Sequence, residues 1–194
     1  KMDLSFDKEH LLLEQMLDYF TVNEVKPLAG EIDELERFPE ETVNKMAEIG
    51  LMGIPFPNRY GGVDGDYIGY ILAVEKLSQA CATTGVILSA HTSLCAGPIY
   101  EYGTEEQKQK YLKPLATGEK LGAFALTEPN AGTDASKQET IAVKDGDNYI
   151  INGSKIFITN AEYADIFIVM AMTDRTLGTR GISAFILEKG MKGF

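Results

Sequence analysis

The sequence predicts an α+β fold, in which an N-terminal helical bundle is followed by an antiparallel β-sandwich or barrel. Apolar residues recur at helical spacing through roughly the first 115 residues. After Lys120, short β-branched runs alternate with Asp145-Gly146 and Asn152-Gly153, dipeptides typical of tight hairpins. We therefore divide the chain into a helical domain at residues 1–119 and a β domain at residues 120–194, which we expect to be incomplete.

Apolar stripes and capping residues define the expected helices. The first stripe covers residues 11–20, with charged residues on the opposite side. Two longer helices are expected at residues 67–79 and 84–102, and both are apolar on more than one face, as is typical of helices at the centre of a bundle. Thr104 and Gln107 have the spacing of a capping box and predict the start of another helix.

The expected strands are short and lie close together in the sequence. They cover residues 121–127, 140–143, 149–151, 156–158, 166–172 and 182–187. The Asp-Gly and Asn-Gly dipeptides between these runs predict hairpins, and hairpins favour an antiparallel sheet.

The composition limits the classes of function. The chain has 18 Lys and Arg against 29 Asp and Glu, a formal net charge of −11 at pH 7. Such a surface repels phosphate backbones, so nucleic-acid binding is not expected. Cys81 and Cys95 lie in apolar helical pattern outside any CxxC spacing, which predicts buried free thiols in a reducing compartment. Without an apolar signal core after Lys1 or a membrane-spanning run, we expect a cytoplasmic protein.

Residues 126–134, LTEPNAGTD, carry the most distinctive polar pattern. Short polar side chains, a proline and a glycine follow directly on an apolar run. Such a loop offers backbone N–H groups and hydroxyls without bulk, which suits an oxygen-rich ligand such as a flavin edge or a pyrophosphate. A capped strand-to-loop transition explains the same pattern, and both interpretations stay open on residue chemistry alone.

Residues 152–160, NGSKIFITN, form the second pattern. A hairpin turn at Asn152-Gly153 is expected to deliver a strand on which Phe157 and Thr159 share a face. An aromatic ring and a hydroxyl so placed can stack on a flat heterocycle and hydrogen-bond its edge. The alternative is an ordinary sheet face with one aromatic residue. No cluster of His, Cys, Asp and Glu has metal-ligand spacing, so no metal site is expected.

Together these motifs resemble the acyl-CoA dehydrogenase family. Segments in the family's order and spacing are GLMGIP at 50–55, YGG at 60–62, GVILSAHTSL at 85–94, YGTEEQK at 102–108, TEPNAGTD at 127–134 and NGSKIFITN at 152–160. The resemblance covers the whole chain. It is nearest to the short-chain, butyryl-CoA dehydrogenases of anaerobic bacteria.

The resemblance implies three domains, helical, β and helical, of which this chain holds the first two, in a protein that is usually a homotetramer. It also implies bound FAD. By motif position, the residues expected to contact the flavin or its phosphates are Phe124, Leu126, Thr127, Thr133, Phe157 and Thr159. Many relatives carry tryptophan where Phe157 stands. Thr133 is also expected to approach the thioester substrate.

The implied reaction is α,β-dehydrogenation of a short-chain acyl-CoA in fatty acid metabolism, begun by a carboxylate that removes the α proton. In this family the base is a glutamate of the C-terminal domain, so we assign no catalytic residue and expect the chain by itself to be inactive. Ile87, Ala90 and Leu94 recur at i, i+3 and i+7, most simply as core packing. The resemblance places this face at the acyl-chain end of the substrate pocket.

The resemblance further implies that electrons pass to an electron-transferring flavoprotein, which we expect to dock near Ile54 and Val63. Two alternatives stay open: an acyl-CoA oxidase that uses oxygen, and a non-catalytic truncated assembly module. Since the implied flavin site lacks its C-terminal wall here, we expect weak or no FAD binding by the chain alone.

Overall fold

The computed structural model describes residues 6–194, in a chain that divides into two compact units. The first unit ends at Lys120, and the second spans Leu121–Phe194. The first is helical and the second is built on one sheet. The predicted order of a helical part followed by a β part is confirmed.

The described part of the first unit is helical along most of its length. Its α-helices are α1 (Lys8–Phe20), α2 (Lys26–Leu35), α3 (Glu40–Glu48), α4 (Tyr67–Ala80), α5 (Ala82–Ser89), α6 (Gly97–Tyr102), α7 (Glu105–Gln107) and α8 (Lys113–Ala116). π-helical segments at Thr21–Val25, Ala90–Ala96 and Lys108–Leu112 join consecutive helices. The helix predicted at residues 84–102 is therefore a continuous helical run with a wider turn in its middle.

Side chains just before the helices fix where several of them begin. Asp7 and Asp66 each accept a hydrogen bond from a backbone N–H three residues later, at 2.9 and 2.8 Å. Thr104 accepts from the N–H of Gln107 at 3.3 Å, and the side chain of Gln107 accepts from the N–H of Thr104 at 2.9 Å. The predicted capping box is confirmed.

The connector between α3 and α4 packs tightly against itself. Asp64 donates its N–H to the carbonyl of Phe56 at 3.1 Å, and Gly65 donates to that of Ile54 at 2.9 Å. A Cβ atom on Gly62 would lie 2.0 Å from the carbonyl oxygen of Phe56, so only glycine fits there. Phe56 itself is buried in the core of the unit.

His91 lies in the π-helical segment between α5 and α6 and is completely buried. Its Nε2 donates a hydrogen bond to the carbonyl of Leu115 at 3.0 Å. Burial lowers the pKa of His91 to about 4, and this hydrogen bond only partly opposes the change. The imidazole is therefore neutral at pH 7.

The sheet of the second unit is arranged around one central strand. Its strands are β1 (Gly122–Ala125), β2 (Ile141–Asp145), β3 (Asn148–Asn152), β4 (Ile166–Met172) and β5 (Ile182–Glu188). β4 pairs with β5 along its whole length in the antiparallel sense. β1 pairs with β4 in the parallel sense, and β2 joins β4 in parallel at Met172. β2 and β3 form the hairpin predicted at Asp145-Gly146, which is confirmed.

The sheet differs from the prediction in being mixed rather than antiparallel. β1 and β4 are parallel neighbours because a long connection, residues 126–165, returns the chain to the end of the sheet where β1 begins. Hairpin dipeptides indicate only the pairing of adjacent strands. They carry no information about strands that meet across forty residues or so.

The second predicted hairpin, at Asn152-Gly153, is wrong. β3 ends at Asn152, and the expected strand at residues 156–158 is irregular. Gly153 is present for a different reason: a Cβ there would lie 2.2 Å from Oγ1 and 2.6 Å from Cα of Thr140. The glycine allows two chain segments to approach closely, and it does not form a tight turn.

Candidate functional site

Residues 122–127 and 155–160, here called the paired segments, lie side by side in the second unit. Ile156 donates its N–H to the carbonyl of Thr127 at 2.9 Å. Asn160 donates its Nδ2 to the carbonyl of Gly122 at 3.0 Å. The two contacts show that the segments run in opposite directions. The candidate residues Phe124, Leu126 and Thr127 on one segment therefore adjoin Phe157 and Thr159 on the other.

The two faces of β1 have different surroundings. Ala123 and Ala125 are buried in a cluster with Phe167 and Val169 of β4. Because side chains alternate along a strand, Phe124 lies on the opposite face of β1. It is only partly buried, as are Leu126 and Thr127 beyond the end of the strand.

Phe157 combines an unusual backbone with an unusual degree of exposure. Its φ is 55°, in the left-handed region that a bulky residue rarely adopts, and its side chain is 90% exposed. The predicted strand geometry, with Phe157 and Thr159 on one strand face, is therefore wrong, although both residues are exposed. Strained residues of this kind are concentrated at ligand sites. Burial in a core does not explain this one.

The loop after β1 begins with a tight turn. Glu128 and Ala131 exchange backbone hydrogen bonds of 2.9 and 3.1 Å. Pro129 is the second residue of this four-residue turn, a position that proline favours. Beyond the turn, Thr133 is exposed, and Asp134 caps a short 3₁₀ turn by accepting from the N–H of Ser136 at 3.2 Å. Within residues 6–194, no hydrogen bond joins Thr133 to the other candidate flavin residues.

A buried ion pair connects the paired segments beneath this loop. The Nζ of Lys155 lies 2.7 Å from Oε1 of Glu128, 2.9 Å from the carbonyl of Leu126 and 3.3 Å from Oε1 of Gln138. The side chains of Lys155 and Glu128 are 9% and 3% exposed. Neither residue is among those that the sequence motifs single out for a ligand. The sequence feature that could have indicated the buried pair is the lysine that precedes the apolar residues of NGSKIFITN.

The carboxylate of Glu128 is held in its ionised form. Burial raises the pKa of Glu128, but the hydrogen bond from Lys155 and the N–H groups of Glu139 and Thr140 outweigh it and hold the pKa at about 2. The N–H of Thr140 lies 3.0 Å from Oε1 of Glu128. The pair is therefore charged at neutral pH. Its carboxylate would be left uncompensated if Lys155 were lost.

A cavity of about 730 Å³ opens in the second unit, but the predicted flavin residues do not line it. Its walls include the aromatic residues Tyr149, Phe167, Phe185 and Phe194. Ala125 also lines it and belongs to the core-facing side of β1. The cavity therefore lies on the opposite side of β1 from Phe124. Its size alone does not make it the site of chemistry.

The residues expected at the acyl chain lie in the helical unit. Ile87 and Ala90 are buried, whereas Leu94 is 44% exposed. Ala90 and Leu94 belong to the π-helical segment, where each turn holds more residues than in an α-helix. Residues at i, i+3 and i+7 therefore do not lie on one face of the helix. The predicted common face is therefore not kept. Their role toward the substrate stays a prediction.

Three further expectations concern partners, metals and membranes. Ile54 is 4% exposed and cannot belong to a docking surface, so this part of the partner prediction is wrong, whereas Val63 is 53% exposed. Among residues 6–194, no group of three or more His, Cys, Asp and Glu is placed to hold a metal ion. In the same range, no helix has the length and apolar character needed to cross a bilayer.

Two family models match this chain and show which protein family it belongs to. The family model for the acyl-CoA dehydrogenase N-terminal domain matches residues 7–119. The model for the acyl-CoA dehydrogenase middle domain matches residues 123–194. The chain belongs to the acyl-CoA dehydrogenase family. Among curated relatives, the short-chain specific acyl-CoA dehydrogenase of Clostridium acetobutylicum is 66% identical over 193 residues, covering 100% of this chain and 51% of the relative.

Solved structures of acyl-CoA dehydrogenase relatives share the fold. Butyryl-CoA dehydrogenase from Megasphaera elsdenii has 47% identity and a TM-score of 0.95, over 99% of this chain and 51% of that one. A chain from work on the electron transferring flavoprotein of Acidaminococcus fermentans has 53% identity and a TM-score of 0.96, over 99% and 50%. A Bacillus anthracis acyl-CoA dehydrogenase complexed with FAD has 38% identity and a TM-score of 0.88, over 100% and 33%.

The chain spans about half the length of the curated relatives it matches. The N-terminal and middle domains of the family are thus both represented. Two of the similar solved structures are FAD complexes, one of PigA and one of the Bacillus anthracis acyl-CoA dehydrogenase. The residues that sequence motifs singled out on the paired segments belong to the middle domain.

Proposed function

We propose that the protein carrying this chain catalyses FAD-dependent α,β-dehydrogenation of short-chain acyl-CoA thioesters. The observation that supports this most is the pairing of residues 122–127 with residues 155–160, which joins two separate sequence motifs. The names of the relatives support the substrate class, since one is short-chain specific and another is a butyryl-CoA dehydrogenase.

The residues present suit a flavin. An exposed aromatic ring at Phe157 provides a surface on which a flat heterocycle can stack. Thr133 and Thr159 are exposed residues whose hydroxyls can donate to carbonyl or phosphate oxygens, and a Cβ atom added at Gly132 would meet no atom within 4 Å. When bound, FAD supplies an acceptor for the hydride that leaves the β carbon of the substrate.

Each candidate residue has a proposed task. Phe157 covers one face of the isoalloxazine ring of FAD and excludes water from that face, while Thr127 and Thr159 hydrogen-bond the edge of the same ring. Thr133 binds phosphate oxygens and approaches the thioester. Further contacts with the flavin are proposed for Phe124 and Leu126, and contacts with the acyl chain for Ile87, Ala90 and Leu94. We assign the base that removes the α proton to none of residues 6–194.

We further propose that electrons leave to an electron-transferring flavoprotein, and that the protein at its natural length is a cytoplasmic homotetramer in fatty acid metabolism. The relative solved in work on an electron transferring flavoprotein supports the choice of acceptor. Cys81 and Cys95 are buried and neither is in a disulfide, which supports a reducing compartment.

The test is to purify the protein at its natural length and to measure flavin content and turnover. We expect stoichiometric FAD, bleaching of the flavin by butyryl-CoA, and turnover with an artificial electron acceptor and with an electron-transferring flavoprotein. Failure to take up added FAD, or no response to butyryl-CoA, would contradict the proposal. Rapid reoxidation in air would instead support an oxidase.

Replacing Phe157 by glycine is expected to weaken FAD binding about 10-fold, because the stacking surface is lost. Stability should not fall, since glycine adopts a φ of 55° without strain and the ring buries little surface. Isothermal titration and urea unfolding measure the two effects. Tyr102→Ala is the matched control, because Tyr102 is an aromatic residue of the helical unit that is 86% exposed. Equal FAD affinities in all three proteins would remove Phe157 from the site.

A further inference from the structure

The ammonium of Lys155 is fully satisfied in one orientation. A lysine carries three N–H donors, and three acceptors surround this one: the carbonyl of Leu126, the carboxylate of Glu128 and the side-chain oxygen of Gln138. Glu128 in turn accepts from two further backbone N–H groups, those of Glu139 and Thr140. The network therefore has a single geometry, which is the condition for a buried polar network to specify structure.

Consecutive residues engage consecutive carbonyls across the paired segments. Lys155 reaches the carbonyl of Leu126 through Nζ, and Ile156 reaches the carbonyl of Thr127 through its backbone N–H. Both peptide groups that flank Thr127 thus accept a hydrogen bond from the segment at residues 155–160. In a trans peptide the C=O and the N–H point in opposite directions. The N–H of Thr127 is therefore directed away from Lys155.

We propose that Lys155 and Glu128 form a positioning pair that fixes the Leu126-Thr127 peptide, so that the N–H and the hydroxyl of Thr127 face the flavin edge. The inference rests on the proposed function and extends it to residues that need not touch the ligand. The pair also sets the distance between Thr127 and the strained Phe157, which lies two residues after Lys155.

Stability alone is a weak reason for such a pair. Well-packed apolar residues of similar volume often replace a buried ion pair at no loss of stability, because removing two charges from water is unfavourable. A charged network has instead the advantage of direction: its hydrogen bonds fix a peptide plane, which apolar contacts do not. The use of a carbonyl of the candidate site as an acceptor is the feature that favours a positioning role.

The experiment separates orientation from stability with two variants and a control. Lys155→Met leaves the Glu128 carboxylate without its counter-charge, so we expect a lower free energy of unfolding and a higher FAD Kd. Lys155→Met combined with Glu128→Gln removes both charges, so stability should recover toward that of the unchanged protein. The hydrogen bond to Leu126 is still absent there, and we expect the FAD Kd to remain raised at least ~10-fold.

Lys137→Met is the matched control. Lys137 lies in the same loop region and pairs with Asp134 at 3.5 Å, but its side chain is 70% exposed, so this change should alter neither FAD Kd nor stability. FAD titration is done on the protein at its natural length. Amide exchange of Ile156, measured by NMR on the 194-residue chain, is a second readout, and it should quicken at least ~10-fold in both Lys155 variants.

Every outcome bears on the proposal. An FAD Kd that returns to normal in the double variant would make the pair structural only and overturn it, as would failure of both variants to fold. Unchanged exchange at Ile156 would also overturn it. If the unchanged protein binds no FAD, the proposed function fails by itself, and the positioning of Thr127 toward a flavin fails with it, whereas the exchange result still decides whether the pair orders the segment.

Discussion

Gly62→Ala is expected to destabilise the helical unit by about 3 kcal/mol or more. The added methyl group would lie 2.0 Å from the carbonyl oxygen of Phe56 and 2.8 Å from that of Gly53, and both obstacles are backbone atoms. Backbone cannot turn aside as a flexible side chain can, so the connector has to open. Opening breaks the hydrogen bond from Asp64 to Phe56 and exposes a buried aromatic residue.

Urea unfolding of the 194-residue chain measures this loss, and Gly30→Ala is its control. Gly30 lies inside α2, and nothing stands within 4 Å of the position of its missing Cβ. Alanine is the better helix former, so this second change should stabilise the chain by about 0.5–1 kcal/mol. Effects of the same sign for both glycines would show that the contact at Gly62 does not decide stability.

Acidification should destabilise the chain through His91, by about 1.5 kcal/mol between pH 6.5 and pH 5. Burial lowers the pKa of His91 to about 4 in the folded state, against 6.5 for an ordinary histidine. Between these values the unfolded chain binds a proton that the folded chain does not, so the free energy of unfolding falls as the pH falls. Above about pH 7.5 both states are almost entirely neutral and the contribution vanishes.

The measurement compares the pH dependence of unfolding in the unchanged chain with that in His91→Gln, which retains a donor for the carbonyl of Leu115 but does not titrate. The variant should lose the extra slope below pH 6.5. His10→Gln is the control, because hydrogen bonding to Asp66 raises the pKa of His10 and its contribution therefore changes above pH 6.5. Parallel curves for His91→Gln and the unchanged chain would refute the assignment.

The hairpin dipeptides show how far local sequence predicts the sheet. Asp145-Gly146 makes a hairpin because β2 and β3 can pair directly on either side of it, with Gly146 at a φ of 59°. Asn152-Gly153 has the same local signal and makes none. The segment after it instead packs against the loop that contains Glu128, because Lys155 forms a buried ion pair with Glu128. A tertiary contact overrides the turn preference there.

The members of the candidate site are a prediction from sequence motifs, whereas its geometry could not be predicted from the sequence. The motifs place Thr127 and Phe157 in separate stretches whose roles follow from resemblance, while the contact from Ile156 to Thr127 joins them in space. The left-handed backbone of Phe157 could not be predicted, because phenylalanine disfavours it. Glu128 and Lys155 were likewise missed, since charged residues in a loop motif are usually solvated and burial is not visible in sequence.

The exposure of Phe157 also has a practical consequence. The chain contains no tryptophan, so Phe157→Trp would introduce a single tryptophan at a position where the present side chain is 90% exposed to solvent. Its emission, quenched by any nearby isoalloxazine, would report on occupancy of the site without a chemical label.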